Sequence, residues 1–195
     1  NLATVAIGAG GQVTFATAVG STDLVVDVIG YYAPGAGELF NAMTPERTLD
    51  SRVGIGWSGA LGAGTTGMRT LTVAGRTSVP ATATSVVLNV TVVNGPQGSF
   101  LQLWPTGADR PTSSTMNFGP GQVTSNLVIT KVGTGGGVSF FNAAGATQVV
   151  ADVVGYFDAT GDVFHPLTRS PRILDSRSGV GLSGPWGSDQ SRTLP

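Results

Sequence analysis

Two stretches, "DLVVDVIGYY" at 23–32 and "QVVADVVGYF" at 148–157, are close copies of one another and part of a longer correspondence. Residues 1–32 lie over 126–157, and "LDSRVGIGWSG" at 49–59 lies over "LDSRSGVGLSG" at 174–184, with an offset of 125 in both cases. "FNAMTPER" matches "FHPLTRSPR" with a slip of one residue, and "RTL" at 69–71 matches "RTL" at 192–194 with a slip of two. Slips that fall between matching blocks are what strands joined by variable loops produce.

A period of about 125 residues is too long for a solenoid repeat and suits one globular domain. The chain then holds one complete repeat unit at 39–160, the C-terminal part of a first unit at 1–38 and the N-terminal part of a following unit at 161–195. Half a β-sandwich leaves sheet edges and a core face bare. Either the two ends complete each other or neighbouring chain completes them. Head-to-tail order predicts exchange, with 164–195 of one copy supplying what 1–32 of the next lacks; such a heterologous contact builds an open filament unless its rotation closes a ring. The first residue is Asn1 and no signal peptide is visible, so the chain is expected to be an excised or processed piece of something longer.

Nearly every apolar run is short, β-branched and bounded by Gly, Pro, Asn, Asp or Ser. "SVVLNVTVVN" at 85–94 alternates Val86, Leu88, Val90 and Val92 against Val87, Asn89, Thr91 and Val93. Strands are expected at 69–75, 85–94, 99–105, 114–118, 126–132, 137–142 and 147–157, and in the first part near 2–7, 13–17 and 23–31. No window of ten or more residues keeps a 3.6-residue period. The pattern predicts an all-β protein, an antiparallel β-sandwich with a jelly-roll or Greek-key-like path, with a closed barrel as the runner-up.

Composition narrows the partners. An apolar share of 41% supports real cores, while charge is sparse at 11% and nets −1, so no basic stripe offers itself to nucleic acid. Gly 30 is about twice the usual share. There is no cysteine, hence no disulfide or thiolate chemistry, and no stretch approaches the ~20 apolar residues of a membrane helix.

"RILDSRSGVG", "VPATATSVVLNVTVVN", "LQLWPTGADRPTSSTMNFGPGQVTSNLVITKVG" and "VVADVVGYF" resemble a repeat module found in tandem in large secreted proteins of Actinobacteria and Chloroflexota, often beside hydrolase or adhesion domains. The resemblance covers essentially the whole chain. It implies an extracellular or cell-surface β-rich module and brings no catalytic residues with it.

The aspartates inside the valine runs, Asp27 and Asp152, need partners, because an unpaired carboxylate in an apolar strand is costly. The arginines around "LDSR" are the natural ones: Asp27 is expected to pair with Arg47 or Arg52, and Asp152 with Arg172 or Arg177. A calcium site at Asp27 or Asp50 is disfavoured because the acids are not clustered. The "GxGxSG" after each "LDSR" has no helix pattern behind it and reads as a tight loop rather than a phosphate cradle. His165 is the only histidine and has Asn41 over it, so neither a triad nor a His-ligated metal is expected, and no metal or cofactor is assigned. Lys131, over which Ala6 lies, is a weak candidate for an isopeptide bond. Trp104, Trp57 and Trp186 are candidates for stacking on sugar rings, against the commoner use of such rings in core packing.

These readings favour a non-enzymatic structural module, secreted or on the cell surface, whose partners are other copies of itself or adjacent repeats. The alternative is a carbohydrate-binding module of a secreted wall- or polysaccharide-active enzyme, with cell-wall or extracellular polysaccharide as partner. A hydrolase stands third, because no pair of carboxylates at glycosidase spacing suggests itself.

Overall fold

The computed structural model describes residues 3–28, 30–34, 39–76, 78–112, 114–166 and 171–195, with 27, 30 and 164–166 described in backbone only. The described residues form antiparallel sheets and no α-helix. The strands are β1 (Val13–Thr17), β2 (Val25–Asp27), β3 (Gly30–Pro34), β4 (Leu39–Asp50), β5 (Arg69–Thr72), β6 (Ser85–Val93), β7 (Ser99–Pro105), β8 (Met116–Phe118), β9 (Val123–Lys131), β10 (Gly137–Asn142), β11 (Gln148–Asp158), β12 (Asp162–Pro166), β13 (Arg172–Asp175) and β14 (Gln190–Leu194).

The chain divides into two compact units: a continuous one, Glu38–Gly161 with Asn1–Thr4, and a split one, Val5–Gly37 with Asp162–Pro195. In the continuous unit β4, β11, β6 and β9 lie side by side in that order, and β5, β10, β7 and β8 form a second sheet. Going from β4 to β11, the chain crosses between the two sheets at every step except β7 to β8. One apolar cluster draws on both sheets, with Leu49, Val86, Leu88, Val90, Val92, Val149, Ala151 and Val153 from the first and Leu71, Leu101, Leu103, Val138 and Phe140 from the second. The alternation of β6 explains its place: Val86, Leu88, Val90 and Val92 are all fully buried, one face of a period-two strand turned into the cluster.

The 12-residue β4 falls in a segment where no strand was expected. Its polar residues and Pro45 hide it. Register is lost between Val153↔Glu46 and Gly155↔Ala42, so Pro45 sits in the bulge, where its missing N–H breaks no ladder bond. Gly155 serves that same irregularity. A Cβ there would lie 2.3 Å from the Phe40 ring, so the glycine of "DVVGYF" is the seat of an aromatic from β4.

In the split unit β1 pairs with β14, β2 with β13 and β3 with β12, all antiparallel. The two ends of the chain thus pair with one another within one chain. Among the described residues Leu174, Trp186 and Leu194 are buried together there, with Phe15, Leu24, Val26, Ile173 and Leu182 packed half-buried against them. The strand expected near 2–7 does not form over residues 3–7.

The two LDSR clamps as the candidate functional site

The last residues of β4 run "TLD" into a tight loop whose centre is Asp50. Its backbone N–H donates to the Ile55 carbonyl at 3.0 Å and its carbonyl accepts from the Ile55 N–H at 3.1 Å. Gly56 holds φ +76 in this loop, and a Cβ there would stand 2.8 Å from Leu71 Cδ1 and 2.9 Å from the Thr48 carbonyl oxygen. Only glycine fits both the left-handed backbone and the space.

The buried Asp50 carboxylate is gripped by two arginines. Arg52 donates through Nε at 2.8 Å and Nη2 at 2.6 Å, with its backbone N–H adding a bond at 3.1 Å, and Arg47 donates through Nη1 at 3.1 Å. The fork of Arg52 matches the two carboxylate oxygens, the strongest form of such a bond. These bonds, led by the Arg52 side chain, hold the Asp50 carboxyl down at about 2.

Asp175 repeats this arrangement 125 positions later. It accepts from Arg177 Nε and Nη2, both at 2.9 Å, from the Arg177 backbone N–H at 3.2 Å and from Arg172 Nη1 at 3.3 Å, and its carboxyl is likewise held at about 2, chiefly by the Arg177 side chain. The Asp175 N–H and carbonyl bond Val180 as Asp50 bonds Ile55. Gly181 holds φ +70 against the Ile173 carbonyl and Leu194, the counterparts of Thr48 and Leu71. The serine of each motif does the same work: Ser51 Oγ accepts from the Val149 N–H at 2.9 Å, and Ser176 Oγ accepts from the Leu24 N–H at 3.0 Å. Strand register agrees too, with Phe140↔Arg69 in one unit and Phe15↔Arg192 in the other.

The aspartates of the valine runs find partners other than those expected. Asp152 lies directly across from Arg47 in the β11–β4 pair and accepts from its Nε, and from Nη2 at 3.3 Å. The expected partners, Arg172 and Arg177, bind Asp175 instead. Strand pairing decides the partners: β11 pairs with β4 of its own unit, and β13 pairs with β2. Asp152 is also only half-buried, its side chain keeping 21% exposure. Arg52, expected near Asp27, is bound to Asp50. The Asp27 backbone stands opposite Arg172, but its side chain, like that of His165, lies outside the described residues.

None of the three tryptophans offers an open ring. Trp57 is buried in the cluster, edge-on to Phe140 at 5.2 Å between ring centroids. Trp186 is fully buried and covered by the Arg192 guanidinium at 4.6 Å. Trp104 is buried, its Nε1 donating to the Ala108 carbonyl at 3.0 Å, and it reaches a shallow depression of about 280 Å³ with Thr65, Met68, Arg69, Thr70 and Ser139. Lys131 is exposed at the end of β9. Among the described residues no three His, Cys, Asp or Glu side chains gather in a metal-binding group, and no helix is long and apolar enough to cross a membrane.

Sequence reasoning singled out the residue types of the clamp but not Asp50 and Asp175 as its centres. The duplicated "LDSR" was the available signal: an aspartate two residues before an arginine, twice, at a strand end. No protein-family model matches the chain, and no curated protein matches it.

Proposed function

We propose that the chain is a structural module of an extracellular or cell-surface repeat protein, built from β-sandwich units with a Greek-key-like path that recur in tandem every 125 residues or so and stack into a stalk, sheath or filament. The observation that carries this reading is the recurrence of one clamp, with its loop bonds, glycine and strand register, at positions 125 apart. Two facing sheets around one apolar cluster support the sandwich. The clamps consume their own charges, and a carboxylate held by a bidentate arginine is a fastening rather than a reactive group. The resemblance to tandem modules of secreted bacterial proteins points the same way.

A carbohydrate-binding role is the second reading, favoured by the depression that Trp104 lines beside Arg69 and three hydroxyl-bearing residues. Sedimentation and electron microscopy of chains carrying several repeats distinguish the two, alongside titration with cell-wall polysaccharides. Rods or filaments with no saturable glycan binding support the structural reading. Saturable binding lost in Trp104→Ala, or hydrolysis lost on one carboxylate substitution, contradicts it.

A further inference from the structure

Comparison of the two units shows what the split one lacks. In the continuous unit β11 is paired on both sides, by β4 and β6, and β10 on both sides, by β5 and β7. In the split unit, among the described residues, β2 pairs with β13 alone and β1 with β14 alone. Those pairs are the counterparts of β11–β4 and β10–β5; among the described residues no strand stands in the places of β6, β7, β8 and β9. The side chains register the difference. Val138, Phe140, Val149, Ala151 and Val153 are fully buried, while Val13, Phe15, Leu24, Val26 and Val28, 125 positions earlier, are half-exposed. Residues 3–7 correspond to 128–132, most of which lies in β9 against β6, yet they form no strand, and Val5 and Ile7 stand 57% and 65% exposed. Residues 3–7 pair with no strand among the described residues, and an unpaired strand has little stability of its own.

We propose that the split unit is a receptor for a strand block of the 73–125 kind carried by another repeat of this protein, seated by β-augmentation on β1 and β2. This rests on the tandem-repeat reading and names the partner segment. The registers of the continuous unit fix how it docks. Val92, Val90 and Leu88 stand opposite Val149, Ala151 and Val153, so the incoming β6-like strand sets the same residues opposite Leu24, Val26 and Val28. Leu103 stands opposite Phe140, so the β7-like strand sets its leucine opposite Phe15. The far edge of the β6-like strand then meets Val5 and Ala6, the counterparts of Thr130 and Lys131, which pair with Val86 and Ser85. Main-chain bonds along two open edges supply affinity, and the alternating apolar residues supply register.

The test appends a second copy of residues 73–125 after Pro195 of the full chain and follows amide hydrogen exchange. The expected result is a monomer in which the amides of Val5–Ile7 and of β1 and β2 slow by about a hundredfold or more. A control in which the appended copy carries V86D and L88D should leave those amides as they are in the unextended chain. An appended block that stays unprotected, one that folds without slowing those amides, or a control that protects as well as the native sequence overturns the proposal. Filament formation by multi-repeat chains is a separate outcome: its failure would count against the structural role while leaving this docking intact.

Discussion

Arg47 and Asp152 face each other directly across the β11–β4 pair, and the same guanidinium that holds the Asp152 carboxylate also donates to Asp50 at 3.1 Å. One side chain therefore ties the middle of the "VVADVV" strand to the loop that ends β4.

This tie should be measurable but modest. Arg47 is 41% exposed along its side chain and Asp152 21%, so solvent takes up much of what is lost when one partner goes. Asp152→Ala is expected to lower stability in urea by about 1–2 kcal/mol, the range of a charge-assisted bond at a half-buried site. Asp152→Asn should cost nearly as much, since it keeps the shape and loses the charge. A denaturation midpoint unmoved in both variants contradicts the role.

Acid should loosen both clamps. The carboxyls of Asp50 and Asp175 are lowered from 3.8 to about 2, so the unfolded chain takes up their protons first as pH falls. The stabilisation is fully present above about pH 4 and is lost as the pH falls through about 2. Urea midpoints recorded between pH 5 and pH 2 should drop across this window, and the drop should shrink in Asp50→Asn. A flat profile, or one whose loss is complete above pH 4, contradicts the assignment.

Much of the fold was legible because local pattern and final burial agree. The alternation of 85–94 became β6 with Val86, Leu88, Val90 and Val92 inward, and the run at 147–157 became β11. β4 was illegible because Pro45 and its polar neighbours argue against a strand, and only a bulge against β11 makes them acceptable. The pairing of Asp152 could be read as far as residue type and no further. Which arginine it meets depends on which strand becomes its neighbour, a long-range choice. The tryptophans were ambiguous for a similar reason: Trp186 occupies the position of Leu61, and only the packed structure shows the ring filling a core.

Glycine at the clamp loop is under a double constraint, which separates it from its neighbour. Gly56→Ala combines a left-handed backbone with overlap on Leu71 and the Thr48 carbonyl, so it should cost about 2–4 kcal/mol. Gly59 holds φ +83 with nothing within 4 Å of its missing Cβ, and Gly59→Ala should cost only about 1 kcal/mol. Equal losses in chemical denaturation would contradict the close-packed loop.

Equivalent phenylalanines should differ in worth because their surroundings differ. Phe140 is fully buried against Trp57, so Phe140→Ala should destabilise β10 by about 3–5 kcal/mol. Phe15, its counterpart, is half-exposed, and Phe15→Ala should cost β1 about 1–2 kcal/mol. Native-state hydrogen exchange on the amides of each strand reads the two losses separately; a larger loss at Phe15 contradicts the comparison.

Stacking of equivalent units, proposed from the clamps that recur 125 positions apart, sets the length of a chain with several repeats. Small-angle X-ray scattering from a series of chains carrying one, two and four head-to-tail copies of residues 39–163 tests it most directly. Folded chains whose maximum dimension grows by the same increment with each added copy are expected. Copies that remain unfolded, or a dimension that fails to grow in step with copy number, would contradict it.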